Sequence, residues 1–267
     1  MSSERADGRA GVDLGGGLLW GAVLGSWALA LAIPALGEGG GLSHGVVLEG
    51  GLPGLGPLLL FLAAWQVMTA AMMLPSSLPL VGLFRRVSGG QAHPGLARFA
   101  FVAAYFAVWT GFALLALAGD AGLHNLVHRW PWLHERPWLV GGGVLLVAGG
   151  FQFSPLKERC LRQCRSPFGF LQRHYRRGIG AAWAIGVRHG LFCLGCCWAL
   201  MLTMFAVGVG HLAWMAGLTG VMVIEKTWRR GRLLAPVVGA VLLVWGGLVL
   251  AQPGWLPAEL ALAGDGH

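Results

Sequence analysis

Apolar residues run along the chain in blocks of roughly 17 to 27, broken by short polar or basic stretches. Such blocks are the length a helix needs to cross a bilayer. The pattern predicts seven membrane spans, at 18–36, 58–84, 97–118, 138–154, 181–207, 211–225 and 233–251. No strand-like alternation and no internal repeat competes with this reading. The expected fold class is all-α, a polytopic membrane helix bundle.

Composition agrees. Of 267 residues, 56% are hydrophobic and 11% charged, and the mean hydropathy is +0.67. A soluble domain carries about 25% charged residues, and a disordered chain is poor in apolar ones, so both classes are excluded. The 45 glycines suit helices that approach closely through small residues.

The net charge of +8 and pI near 10.1 superficially suggest nucleic acid. Position decides otherwise. With the N-terminus inside, 17 of the 19 Lys and Arg adjoin the inner side, and only Arg129 and Arg136 lie outside. This asymmetry predicts an N-in, C-out protein of a bacterial inner membrane, its basic excess facing anionic lipid and not nucleic acid. Residues 1–17 form a cytoplasmic tail, 18–251 one transmembrane bundle and 252–267 a periplasmic tail. Within the bundle lie an inner basic loop, 155–180, and outer loops at 37–57 and 119–137. No convincing small-x-small cleavage site follows the first apolar run, so it is expected to stay as a helix.

The residues that bind soft metals are unevenly spread. Apart from the initiator, Met occurs as Met68, Met72 and Met73 in the second span, Met201 and Met204 in the fifth, and Met215 and Met222 in the sixth. All five Cys lie between 160 and 197. At about 100° per residue, His189, Cys193, Cys196, Cys197, Met201 and Met204 share an arc of about 140° on one helix. Thiolate, thioether and imidazole together favour Cu(I), and less selectively zinc or iron. Met68, Met72 and Ser76 share a face of the second span, where Pro75 and Pro79 are expected to kink the helix and free backbone carbonyls. The plain alternative is that these thiols are small apolar side chains packed beside Gly190 and Gly195.

Cys160 and Cys164 stand four apart, so both face one side of a helical turn at the inner end of the fourth span. Flanking Arg159, Arg162 and Arg165 are expected to favour their thiolates, and a disulfide is not expected on the reducing side. Incidental or lipidated thiols on a basic interfacial helix are the alternative. Outside, His124 and His128 are also four apart, with His134 nearby: a weak capture site for an ion, or solvated loop residues beside interfacial Trp130 and Trp132. Glu225 ends the sixth span, where an ionisable group is a functional candidate. An ion pair with an Arg is the competing reading, and Arg188 is expected to snorkel to the headgroups. The chain lacks a phosphate-binding Gly-x4-Gly-Lys-Ser/Thr loop, a Gly-x-Ser-x-Gly elbow and a His-Glu-x-x-His helix.

Three stretches, Met72-Met-Leu-Pro-Ser-Ser-Leu-Pro79, Pro155-Leu-Lys with Cys160 and Cys164-Arg-Ser-Pro167, and Arg188-His-Gly with Cys193-Leu-Gly-Cys-Cys-Trp-Ala-Leu-Met201, closing at Glu225-Lys226, resemble a bacterial family. It is a domain-of-unknown-function family described as predicted metal-binding integral membrane proteins. The resemblance spans about residues 58 to 250 and implies that Met72, Met73, Cys160, Cys164, His189, Cys193, Cys196 and Cys197 match the family pattern. It supplies no activity.

The leading expectation is a membrane protein that moves or delivers copper as Cu(I). Outer His residues capture the ion, Met68, Met72, Met201 and Met204 form a thioether path, His189 with Cys193, Cys196 and Cys197 hold it, and Cys160 with Cys164 form the cytoplasmic port. Its partners are the metal ion, membrane lipid and a soluble metallochaperone or metalloenzyme client. Two alternatives stay open: a membrane redox enzyme that cycles these thiols, and a scaffold subunit without a site.

Overall fold

A computed structural model describes residues 17–32, 54–207 and 212–252. The two tails, most of the outer loop 37–57 and His211 lie outside the described residues. So do the side chains of His124, His128 and His134. Among the described residues the structure is helical, with no strand. Helix α1 is Gly17–Ala32, α2 Leu55–Ser88, α3 Pro94–Arg129 and α4 Pro131–His134. Then follow α5 Pro137–Phe151, α6 Pro155–Cys164, α7 Pro167–His174 and α8 Ile179–Val207. Last come α9 Leu212–Thr227, a 3₁₀ turn at Gly231–Leu233, and α10 Leu234–Ala251.

Local chemistry sets these boundaries. Helices α3 to α7 each begin with Pro in the first turn, where its missing N–H costs nothing. Ser154 caps α6, its hydroxyl accepting from the Lys157 backbone N–H at 3.1 Å. Pro75 removes the donor that would have served the Ala71 carbonyl one turn back. The indole of Trp27, on α1, donates to that carbonyl instead at 3.1 Å, so the freed carbonyl is satisfied by a neighbouring helix as a membrane-type interior requires.

The count of seven spans is corrected. Among the described residues four helices are long and apolar enough to cross a membrane: Leu55–Ser88, Pro94–Val127, Ile179–Met204 and Gly231–Ala251. A fifth arises if Trp138–Phe151 and Pro155–Cys164, bent by 65°, form one broken span. The other expected spans are helices, but short. Helix α9 has 16 residues, about 24 Å at 1.5 Å per residue against a hydrocarbon core of about 30 Å. Conversely α3 runs on to Arg129, so much of the segment read as the outer loop 119–137 is helical.

Helix α8 is the hub. It packs along α3 and also against α5, α6 and α9, while α10 lies on α5 and α2 reaches α3, α9 and α7. The α3–α8 contact is close because Gly186 sits over the α3 backbone: a Cβ there would lie 2.3 Å from the Phe101 carbonyl oxygen.

The basic segments gather at one end of the bundle. The Tyr175 hydroxyl donates to the Val87 carbonyl at 2.8 Å, and Gln91 bridges the Tyr175 hydroxyl and the Gly178 N–H. The Arg165 guanidinium donates to the carbonyls of Glu225, Trp228 and Arg229. The inner loop expected at 155–180 is thus two short helices locked across the ends of α2 and α9.

Candidate metal centre

The arc read from the α8 sequence faces inward. His189, Cys193, Cys196, Cys197, Met201 and Met204 are all buried, while Arg188 is exposed on another face. The three α8 thiols keep the helix geometry: Cys196 and Cys197 both donate to the Cys193 carbonyl, at 3.0 and 2.9 Å. All five cysteines are free.

Other helices complete the cluster. From α2, the Met73 sulfur accepts from the Cys197 thiol at 3.7 Å. From α6, Cys164 packs against the same buried core as Cys196. Cys160 packs so tightly on α8 that its sulfur lies 2.6 Å from where a Gly195 Cβ would be. Cys160 thus faces α8 and not the exposed arginines of its own helix. Arg159 and Arg162 stay at the surface and Arg165 is spent on backbone carbonyls, so the expected stabilisation of the two thiolates by arginine is not built.

His189 enters the cluster indirectly. Its Nε2 meets the Ser77 hydroxyl at 3.2 Å, Ser77 donates to the Tyr105 hydroxyl at 3.4 Å, and that hydroxyl lies 3.3 Å from the Cys193 sulfur. The imidazole is stacked on Tyr105 and Phe101, with ring centroids 5.3 and 6.2 Å away. Met68, Met72, Met201 and Met204 are buried in the same core. Among the described residues only Met73 is seen in contact with a thiol.

Glu225 was singled out by the sequence, but its partner Lys157 and the place of Lys226 were not. Glu225 does not pair with an arginine side chain: its carboxylate accepts from the Lys157 ammonium at 2.8 and 3.1 Å, both side chains almost fully buried. Lys226 reaches into the thiols, its ammonium 3.2 Å from the Cys193 sulfur and 3.1 Å from the Ser76 hydroxyl. Ser76 in turn donates to the Met73 carbonyl at 2.9 Å. The sequence signal for Lys226 is its spacing, since it follows Met215, Leu218 and Met222 on the buried face of α9.

The donor set suits a soft ion. Two sulfurs 3.7 Å apart form one edge of a site with metal–sulfur bonds of about 2.3 Å, and Met73–Cys197 is such an edge. Among the described residues no three His, Cys, Asp or Glu side chains converge well enough to hold an ion by themselves. A site here therefore draws on thioether sulfur.

The PpoB2 family, described as a copper chaperone, matches residues 62–249. The chain belongs to this copper chaperone family. The match spans every helix that contributes to the cluster, from Met73 on α2 to Lys226 on α9. No curated protein and no solved structure matches the chain. Membership supports a copper-handling role for the chain.

Gly195 gives a local test of how α6 docks. Gly195→Ala places a methyl group 2.6 Å from the Cys160 sulfur. The expected cost is about 1–3 kcal/mol from overpacking, read as a lower thermal midpoint in detergent. Restoration by Cys160→Ala in the same chain checks that the sulfur is the obstacle.

Proposed function

We infer that the protein is a membrane-embedded carrier that takes up Cu(I) on the buried sulfur cluster and hands it to a client. The observation that carries this reading is the coincidence of the copper-chaperone family match with buried free thiols on one face of α8, one of them on the Met73 thioether inside the bundle. Copper is cargo here, so the ligands must bind and release it. Sulfur ligands suit Cu(I) over harder ions. The packing of α6, which carries Cys160 and Cys164, against α8 supports a route of successive sulfur exchange between the core and the basic end. Zinc and iron are the competing cargoes.

The gathering of the basic segments at one end supports a cytoplasmic-membrane protein with that end inside. His124, His128 and His134, at the far end of α3 and in α4, are the proposed capture residues outside. The client at the inner end is a soluble metallochaperone or a metalloenzyme.

Metal content tests the reading. Protein purified anaerobically in detergent, from cells supplied with copper, zinc and iron, is expected to carry near-stoichiometric copper by mass spectrometry. A Cys193→Ser/Cys196→Ser/Cys197→Ser variant is expected to lose it while keeping its helical circular dichroism. Equal copper in both samples, or zinc or iron in place of copper, overturns the assignment.

A further inference from the structure

Lys226 is a cation buried among potential ligands for a cation. Its ammonium points at sulfur, 3.2 Å from Cys193, on the face of α8 that carries the other buried thiols. The nearest carboxylate in sequence, Glu225, is already occupied by Lys157. Only 6% of Lys226 is exposed, so water screens this charge little. A lysine held on thiols has no obvious use in a cluster that serves only packing.

The sulfurs closest to it define a small site. Cys193 and Cys197 stand one turn apart on α8, the Cys197 thiol donating to the Cys193 carbonyl at 2.9 Å, and Met73 lies 3.7 Å from Cys197. Two thiolates and one thioether around a monovalent ion leave a net charge of −1. The same ligands around a divalent ion leave zero. In a low-dielectric interior a net charge is costly unless an opposite charge is adjacent. A fixed ammonium balances the first complex and leaves the second with an uncompensated positive charge.

We propose that Lys226 is the built-in counter-ion of a Cys193–Cys197–Met73 site and makes that site prefer a monovalent soft cation over a divalent one. The inference rests on the reading that this cluster carries copper, and it adds the residue that sets the charge of the cargo. Ser76 positions the ammonium by accepting its hydrogen bond, tying the counter-ion on α9 to the same turn of α2 that presents Met73. No proton transfer is invoked, because the selectivity follows from the net charge of the filled site.

The test is competition between Ag(I), a redox-inert stand-in for Cu(I), and Cd(II), on full-length protein in detergent without oxygen, with bound metal counted by mass spectrometry. Wild type is expected to favour Ag(I). Lys226→Gln, uncharged and without sulfur, is expected to lower the Ag(I):Cd(II) ratio by about tenfold or more. Lys226→Arg keeps the charge and is expected to hold the wild-type ratio, which a merely structural lysine does not predict. If Lys226→Gln fails to fold, Lys226→Leu is read in the same way. A neutral variant with the wild-type ratio overturns the proposal, and so does an arginine variant that loses it. Wild type that binds neither ion overturns the copper reading and this inference with it. Silver binding with an unchanged ratio in the neutral variant overturns the inference alone.

Discussion

Lys157→Met is expected to destabilise the protein by about 3–5 kcal/mol, because it leaves the Glu225 carboxylate buried without its cation. The pair is bidentate, with the ammonium 2.8 and 3.1 Å from the two carboxylate oxygens, and neither side chain reaches solvent. It joins the first turn of α6 to the last turn of α9, so its loss loosens the ends of both helices. Arg165 cannot move in as a substitute, since its guanidinium already binds the Glu225, Trp228 and Arg229 carbonyls. Adding Glu225→Gln to Lys157→Met removes the stranded charge and is expected to recover most of the loss, because replacing both partners of a buried pair is often nearly neutral. Thermal unfolding followed by circular dichroism in detergent checks both values. A single variant as stable as the double would show that the pair is open to water. By contrast, the exposed Arg232–Glu158 pair is expected to contribute within about 1 kcal/mol.

Much of this architecture is legible along the chain, and the reasons differ from element to element. The face of α8 is readable because a helix repeats every 3.6 residues, so His189, Cys193, Cys196, Cys197, Met201 and Met204 must lie together once the helix forms. The basic segments were likewise grouped by sign of charge, and they meet at one end. What sequence spacing does not contain is the pairing between helices. Cys160 and Cys164 read as a local pair, but α6 folds back at 65° to α5, which turns Cys160 onto α8 and Cys164 against the same buried core. The span count failed for a related reason. Apolar content marks a segment as buried, yet α5 and α9 reach their burial inside a bundle and end too soon to cross a bilayer alone. Lys226 was hidden by habit of reading: a lysine at the end of an apolar helix is usually taken as an interfacial anchor, and only its register with Met215 and Met222 sets it inward. His189 shows the converse, since its spacing placed it with the thiols while Ser77 and Tyr105, from α2 and α3, stand between its ring and Cys193.

Gly186→Ala is expected to separate α3 from α8 and to lower copper binding together with stability. The added methyl group would lie 2.3 Å from the Phe101 carbonyl oxygen, 3.0 Å from its carbon and 2.8 Å from the Ala104 Cβ. Those atoms are the backbone and the first side-chain atom of a long helix, so no rotamer change relieves the overlap and the two axes must move apart. Overpacking of this kind costs about 1–3 kcal/mol and sometimes more. Phe101 and Tyr105, one turn apart on the face that moves, are the rings stacked on His189, and the Tyr105 hydroxyl lies 3.3 Å from Cys193. A shift of α3 therefore reaches the cluster without touching a ligand. Gly190→Ala meets the Val108 Cβ at 2.9 Å and its methyl carbons at 3.0 and 3.3 Å, a milder overlap that involves no backbone atom, and its expected cost is smaller. Gly111→Ala on α3 has nothing within 4 Å and is expected to be neutral or to gain up to about 1 kcal/mol from helix propensity. Ranking the three by thermal midpoint and copper content, with Gly186→Ala lowest in both, tests the closeness of the α3–α8 contact. Gly186→Ala behaving like Gly111→Ala would mean that the helices stand farther apart, and the relay from His189 to Cys193 would then lose its geometric basis.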